Sequence, residues 1–306
     1  MGVGGLVENN RQVMQDEDGL WWFYTGTYPY AVSPGVDPYD DPLWYCVGLL
    51  NGKEISDLSS WCDTVSNVDV TFEMQQFFRT LGYLGIKAFG AGAVTVSSRI
   101  TIPNVEFDFS DLKVTIDPDS DDSVSGNGGR VFTITDPETI ILTGQAFTTS
   151  NVGQINTIQL SGDGFRNCSV GIQAETSNDN AYLRYGTAYT KKADIYVMDD
   201  SGTGFHGATP SLYKYNDTAT LTVRPIRNQH INRAPKFILP QPLSAGRKLR
   251  TCIRIERNNV TVVGGNMNAQ AAGMYVESMY ELNSVIDCEF IHTLNIHPGD
   301  FNGKAN

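Results

Sequence analysis

The sequence lacks any run of about 18 apolar residues, the length a helix needs to cross a bilayer, so no membrane insertion is expected. Its start, Met1 to Glu8, has neither the basic residues nor the apolar stretch of a secretory leader, which points to a soluble product made in a cytoplasm. Cysteine is scarce and unpatterned: Cys46, Cys62, Cys168, Cys252 and Cys288 are widely spaced with no CxxC, which argues against a disulfide framework or a zinc site. The four histidines (His206, His230, His292, His297) contain no i,i+4 pair and no HExxH, so no metal is expected from them. Gly202, Gly204 and Gly207 spell GxGxxG, yet no strand precedes them and no helical pattern follows, so they read as a turn and imply no nucleotide cofactor.

Charge is also sparse, at 18% of 306 residues, and its net value of −12 argues against nucleic acid as a partner, because phosphates would be repelled. The distribution is more informative than the total. Residues 1–66 hold ten acids and only two bases, Arg11 and Lys53, for a net −8. Residues 224–257 reverse this, with nine bases (Arg224, Arg227, Arg233, Lys236, Arg247, Lys248, Arg250, Arg254 and Arg257) against Glu256 alone.

What the chain does have is β-forming sequence broken by turn residues, with 30 glycines. All four tryptophans (Trp21, Trp22, Trp44, Trp61) fall before residue 62, a shift in composition that marks residues 1–66 as a module distinct from 67–306. Within it, Trp21–Thr25 and Leu43–Val47 read as strands, joined by a loop punctuated by Pro34, Pro38 and Pro42. So small a β unit buries little by itself, and its aromatic surface calls for a partner. Met74, Phe77, Phe78 and Leu81 then follow helical spacing, which predicts a short helix from about Val70 to Leu81, ended by Gly82 and Gly85.

From Ala93 onward short β runs recur, among them 94–96, 99–102, 105–109, 112–116, 131–134, 139–142 and 157–160. Strands this short at regular spacing fit a sandwich or a β-solenoid. Two comparisons favour the solenoid. Asn167-Cys168 and Asp287-Cys288 open similar turns, and aligning Asn259–Gly265 with Asn283–Cys288 sets Val262 over Val285, an offset of 23 residues, about one coil of a parallel β-helix. The pattern loosens between about 178 and 246, which reads as an insertion, followed in part by a strand at Ala219–Val223.

Asp18-Gly19, Trp21–Tyr24, Gly26 with Pro29, Pro34-Gly35 and Trp44 occur in the order found in the particle-binding modules of tail spikes and tail appendages (tail fibres) of short-tailed bacteriophages, and residues 1–66 resemble those modules. The helix followed by Ile100–Pro103 resembles the pectate-lyase-like start of their right-handed parallel β-helix, although the Gly-Asp-Gly-x-x-Asp-Asp-Thr motif of that family is missing. The resemblance implies an all-β, trimeric virion protein, assembled in the host cytoplasm. It implies docking on tail, neck or portal-adjacent virion proteins and presentation of a region that binds a bacterial surface polysaccharide or receptor. The anchor residues expected are Trp21, Trp22, Tyr24, Tyr28, Trp44 and Tyr45. A basic patch of Arg247, Lys248, Arg250, Arg254 and Arg257 is the expected contact for an acidic partner or glycan, unless these bases pair with acids within the assembly.

The alternative is a depolymerase of capsule or lipopolysaccharide, which needs two carboxyl groups flanking the scissile bond. Glu106/Asp108 and Glu277/Glu281 have suitable spacing, but Phe107 and Phe109 make the first pair an ordinary amphipathic strand, so no catalytic residue is assigned and such a site lies elsewhere or beyond this chain. The ending, Pro298 to Asn306, has no closing cap and reads as an interruption of a longer polypeptide. Asp117–Asp122 is dense in carboxylates but fails the calcium-loop pattern, with Asp122 where glycine is needed and Gly128 where glutamate is needed.

Overall fold

The computed structural model describes residues 4–17, 19–49, 54–121, 124, 129–146, 165–175, 180–184, 188–191, 193–198, 218–240, 249–269, 276–283 and 285–291. Its architecture is mostly β. Five short strands come first: β1 (Gly5–Val7), β2 (Val13–Gln15), β3 (Trp21–Tyr24), β4 (Tyr30–Val32) and β5 (Trp44–Gly48). The helix α1 (Thr71–Leu84) follows, then β6 (Ala88–Val96), β7 (Ile100–Pro103), β8 (Phe107–Ile116) and β9 (Gly129–Thr135). A middle group comprises β10 (Ile140–Ala146), β11 (Cys168–Ala174), β12 (Asn180–Arg184), β13 (Ala188–Lys191), β14 (Ala193–Val197) and β15 (Thr218–Pro225). Last come β16 (His230–Leu239), β17 (Leu249–Glu256), β18 (Val260–Ala269), β19 (Val276–Leu282) and β20 (Glu289–Ile291).

The helix runs three residues past Leu81 because Gly82 is accommodated inside it: a Cβ there would lie 2.6 Å from the Pro103 carbonyl oxygen, so only glycine lets α1 approach β7. Gly85, at φ +66°, supplies the left-handed cap that ends it. The apolar face predicted from spacing, Met74, Phe77, Phe78 and Leu81, is wholly buried.

Two all-parallel sheets form the main body. One has the order β20-β18-β16-β8-β6 and the other β19-β17-β9-β7, so the chain alternates between them as it advances. Between the sheets and α1 lies a ladder of phenylalanines: Phe78, Phe107, Phe109, Phe132 and Phe237, with neighbouring ring centroids 5.3 to 6.5 Å apart. The same apolar core continues into residues 1–66 through Trp61, Leu58, Trp44 and Trp22. Composition changes at residue 66, but the core crosses that point without a break.

The offset of 23 residues is overturned. Val262 pairs with Phe290, 28 residues later, and with Asn232, 30 residues earlier, because β16 and β18 are ten residues long rather than about five. The likeness between Asn167-Cys168 and Asp287-Cys288 is one of turn conformation: both lead residues are left-handed (φ 55° and 53°), but Cys168 begins an antiparallel strand.

β8 and β9 pair directly with β16 and β17, so the chain leaves the parallel stack between them and returns to it. The excursion is antiparallel, with the order β10-β15-β11-β14 and a separate β12–β13 ribbon. Its core is its own: Val170, Ile172, Tyr196, Leu221 and Val223, with Leu142 and Phe165 packed alongside. The departure from parallel pairing thus spans β10 to β15, earlier at both ends than the 178–246 read from the sequence, since β16 is already back in the parallel sheet. The expected strand at 157–160 lies outside the described residues.

Candidate interaction surface

Alternation along β3 and β5 sorts the N-terminal aromatics by face. Trp22, Tyr24, Trp44 and Cys46 point inward and are buried, whereas Trp21, Phe23, Tyr45 and Val47 point outward and are half-buried. Three of the six expected anchor residues, Trp22, Tyr24 and Trp44, are therefore core residues of this chain. The Trp22 indole donates to Asp16 Oδ2 at 2.7 Å, and Leu20 N–H donates to Asp16 Oδ1 at 2.9 Å, which fixes the turn ahead of β3. Tyr28 is half-buried and its hydroxyl donates to the Tyr24 carbonyl. Trp21 and Tyr45 remain available.

Tyr45 stands within a group of residues that the sequence reading did not assemble. Phe23 stacks on Tyr45 (centroids 5.6 Å apart, 24° between planes), and Tyr83 of α1 lies over Tyr45 at 4.3 Å and beside Phe23 at 5.9 Å. The Arg79 guanidinium sits 4.8 Å from the Tyr45 centroid and donates to the Pro42 carbonyl at 2.7 Å. Val13, opposite Phe23 on β2, extends the stripe across the sheet. Tyr83 is 54% exposed and Val13 38%, while Phe23 and Tyr45 are half-buried, so the group forms a partly exposed aromatic face. Phe23 carried a readable signal, since it alternates with buried Trp22. Tyr83 and Arg79 did not: they lie four apart on the helix face away from Phe77 and Phe78, where sequence spacing predicts only solvent.

Of the five residues of the expected basic patch, the structure describes the side chains of Arg254 and Arg257, and both are engaged within the chain. Arg257 is buried, donating from Nε to Asn104 Oδ1 (2.7 Å), from Nη1 to the Asn258 and Asn259 carbonyls (2.8 and 3.1 Å) and from Nη2 to the Asn228 carbonyl (2.8 Å). Arg254 pairs with Glu256 at 2.6 Å and with Glu281 at 3.5 Å. Arg224 is buried too, with Nε donating to the Glu256 carbonyl, and Arg227 pairs with Asp136 at 2.6 Å and Glu138 at 2.7 Å. Arg247 and Lys248 lie outside the described residues, as does the side chain of Arg250.

Three of the four carboxylates weighed for glycan cleavage are engaged by bases, and the side chain of Glu277 lies outside the described residues. Glu106 pairs with Lys87 at 2.6 Å, Asp108 with Arg233 at 3.4 Å, and Glu281 with Arg130 at 3.1 Å. Burial pushes the Glu106 pKa up, but hydrogen bonds from Lys87 and the Ile231 N–H outweigh it, and the carboxyl is held below its ordinary range. Burial raises the Cys46 and Cys62 thiols to about 12, so neither is a nucleophile near neutral pH. Among the described residues no group of His, Cys, Asp and Glu is placed to hold a metal ion. In the acidic loop, Asp117 Oδ1 accepts from the Asp119 N–H and Asp121 Oδ2 accepts from Ser98, while Asp122 is outside the described residues, as are His206, His292, His297 and Gly202–Gly207.

No family model matches the sequence, and no curated protein matches it. Among solved structures, the crystal structure of the tailspike protein gp49 from Pseudomonas phage LKA1 is similar at 12% sequence identity and a TM-score of 0.37. The alignment covers 66% of this chain and 33% of that one, so this chain spans about a third of the length of that protein. At that score the likeness carries no argument.

Proposed function

We propose that this chain is a structural protein of a phage virion, a homotrimer that attaches a tail spike or appendage to the particle. Residues 1–66 form the anchoring module, and 67–306 a right-handed parallel β-helix that presents a region binding a host polysaccharide or receptor. The observation that carries this reading is the partly exposed aromatic face formed by Phe23, Tyr45 and Tyr83, built on the ordered aromatic motifs of residues 1–66. The alternation of parallel strands between two sheets, with α1 closing one end, supports the solenoid half. Glu106, Asp108 and Glu281 are each engaged by a base, so the depolymerase alternative draws no support from them. A glycan-release assay on a capsulated host surface tests it directly.

Attachment is tested with two neighbouring residues of opposite face. Trp44→Ala empties a buried site and is expected to cost about 3–5 kcal/mol, read as a lowered melting temperature. Tyr45→Ser removes an outward ring and is expected to leave the fold intact while particles that lack this chain no longer take it up. Uptake of Tyr45→Ser at wild-type level would move the anchor off this face. Light scattering should give a trimer mass, and a clean monomer that still attaches would defeat the trimeric reading.

A further inference from the structure

We infer that the outward face of the five-stranded parallel sheet binds an anionic group of a sparsely charged polysaccharide through Lys113 and Lys236, an inference that rests on the receptor-presenting half of the reading above. Leu112, Val114, Phe237 and Leu239 point inward and are buried, so alternation turns Lys113 of β8 and Lys236 of β16 to the opposite face. Register then sets the two side by side, since Lys236 pairs with Lys113 on a neighbouring strand about 4.8 Å away. Lys113 is exposed and Lys236 half-buried. Like charges on neighbouring strands repel. Asp108, on the same face, is engaged by Arg233 at 3.4 Å, and Asp111, exposed two residues before Lys113, does not reach ion-pair distance of it. Among the described residues neither lysine has an acidic partner. One carboxylate or phosphate oxygen pair placed between the two ammonium groups neutralises both.

The neighbours of the pair select the ligand. Asn266 lies beside Lys236 and Ala93 beside Lys113, and the next row runs Asn268, Ile238, Thr115, Thr95. A protein partner is held through an apolar centre from which lysine is depleted, and these neighbours supply Ile238 as their one large apolar side chain. Nucleic acid brings a charge at every nucleotide and needs many bases in contact, which a single lysine pair on a chain of net −12 does not offer. A polysaccharide with isolated anionic groups on a neutral frame matches what is there. The ammonium pair takes the anion, and the outward amides of Asn266 and Asn268, which both donate and accept, face sugar hydroxyls.

The test uses the full-length protein, a hyaluronate oligomer, which carries a carboxylate on every second sugar, and the same oligomer with its carboxylates converted to methyl esters, with binding followed by calorimetry. Three proteins are compared: wild type; Lys113→Gln/Lys236→Gln; and Lys87→Gln, which removes a base on the same strand edge that is already paired with Glu106. The expected result is wild-type binding about tenfold or more tighter for the carboxylate form than for the ester, loss of that preference in the double variant at an unchanged melting temperature, and its retention in Lys87→Gln. Equal wild-type binding of the two forms, or binding of neither, overturns the inference. So does a preference that survives in the double variant, or one lost equally in Lys87→Gln, which would mark an effect of overall charge. A double variant that falls from the wild-type mass in light scattering would make the acids of a second copy the occupant. Uptake of the double variant onto particles that lack this chain is expected at wild-type level, and its loss would make another virion protein the occupant; either result overturns the glycan. The anchor is tested apart from this by Tyr45→Ser, so the failure of one reading is distinguishable from that of the other.

Discussion

Arg257 concentrates much of the chain's connectivity in one side chain. Its guanidinium reaches Asn104 before β8, Asn228 before β16, and Asn258 and Asn259 before β18, so one buried group ties together three turns. Burial lowers its pKa, and Asp136 is the largest opposing influence. Truncating it strands several acceptors away from water, and Arg257→Met is expected to cost about 3–5 kcal/mol, with Arg257→Lys little better because an ammonium cannot span the same fork. Urea midpoints of the two variants check this. His230, at the start of β16, behaves differently. Burial first, and then the positive charge of Arg257, push its pKa down to about 4 from 6.5, with Glu106 and Asp136 opposing and Arg227 adding to the fall. Above pH 6.5 both folded and unfolded chains hold it neutral, and the full stability is present. As pH falls the unfolded chain takes up the proton first, so stability drains by about 1 kcal/mol per pH unit until the folded group also titrates. Carboxylates such as Glu106, with a depressed pKa, add their own loss only below an ordinary value of 4.5. Stability of wild type and His230→Gln should therefore converge in slope above pH 6.5 and diverge between 6.5 and 5; equal slopes throughout would show that His230 is not the group responsible.

At the scale of elements the problem is the open edge. A parallel stack ends in strands with one row of backbone groups unpaired; at its first end those strands are β6 and β7, and at the other they are β20 and β19. The edge of β7 is closed by one side chain: Gln75 of α1 donates to the Thr101 carbonyl and accepts from the Thr101 N–H, both at 2.9 Å. The edge of β6 is met by residues 56–70, where Phe89 N–H donates to Ser56 at 2.8 Å, Ala93 N–H to Thr64 at 2.7 Å and Thr95 N–H to Val68 at 2.8 Å. Gln75→Ala is expected to cost about 1–2 kcal/mol and to speed amide exchange at Thr101 while leaving β8 and β9 protected. The helix was legible because burial on one face imposes its period on the sequence. Its capping contact was not, since a glutamine at position 75 looks like any polar residue beside an apolar stripe.

At the scale of the molecule the described residues form two cores, the large one shared by the N-terminal sheets, α1 and the parallel stack, and the small one of the antiparallel excursion. The excursion is fastened where it leaves and returns: Arg227 grips Asp136 and Glu138, and Asn258 donates to the Arg224 and Pro225 carbonyls while bonding to Ser169. Leu221→Ala, which opens a cavity in the small core alone, is expected to cost that unit about 2–5 kcal/mol. Calorimetry should then show an earlier transition separated from that of the parallel body; a single transition shifted as a whole would mean the two cores unfold together.

By itself the sequence determined the β character and the helix, because each is a local period that burial writes directly into residue order. It also determined the acidity of residues 1–66, which no folding alters. The tertiary structure alone decided which aromatics face outward together, since Tyr83 reaches Tyr45 only when α1 packs beside β5. It likewise decided that Arg254 and Arg257 are engaged inside the chain, because their partners, the Glu256 and Glu281 carboxylates and the Asn104 amide with nearby turn carbonyls, are brought in from up to 153 residues away in sequence, a distance that no local pattern records.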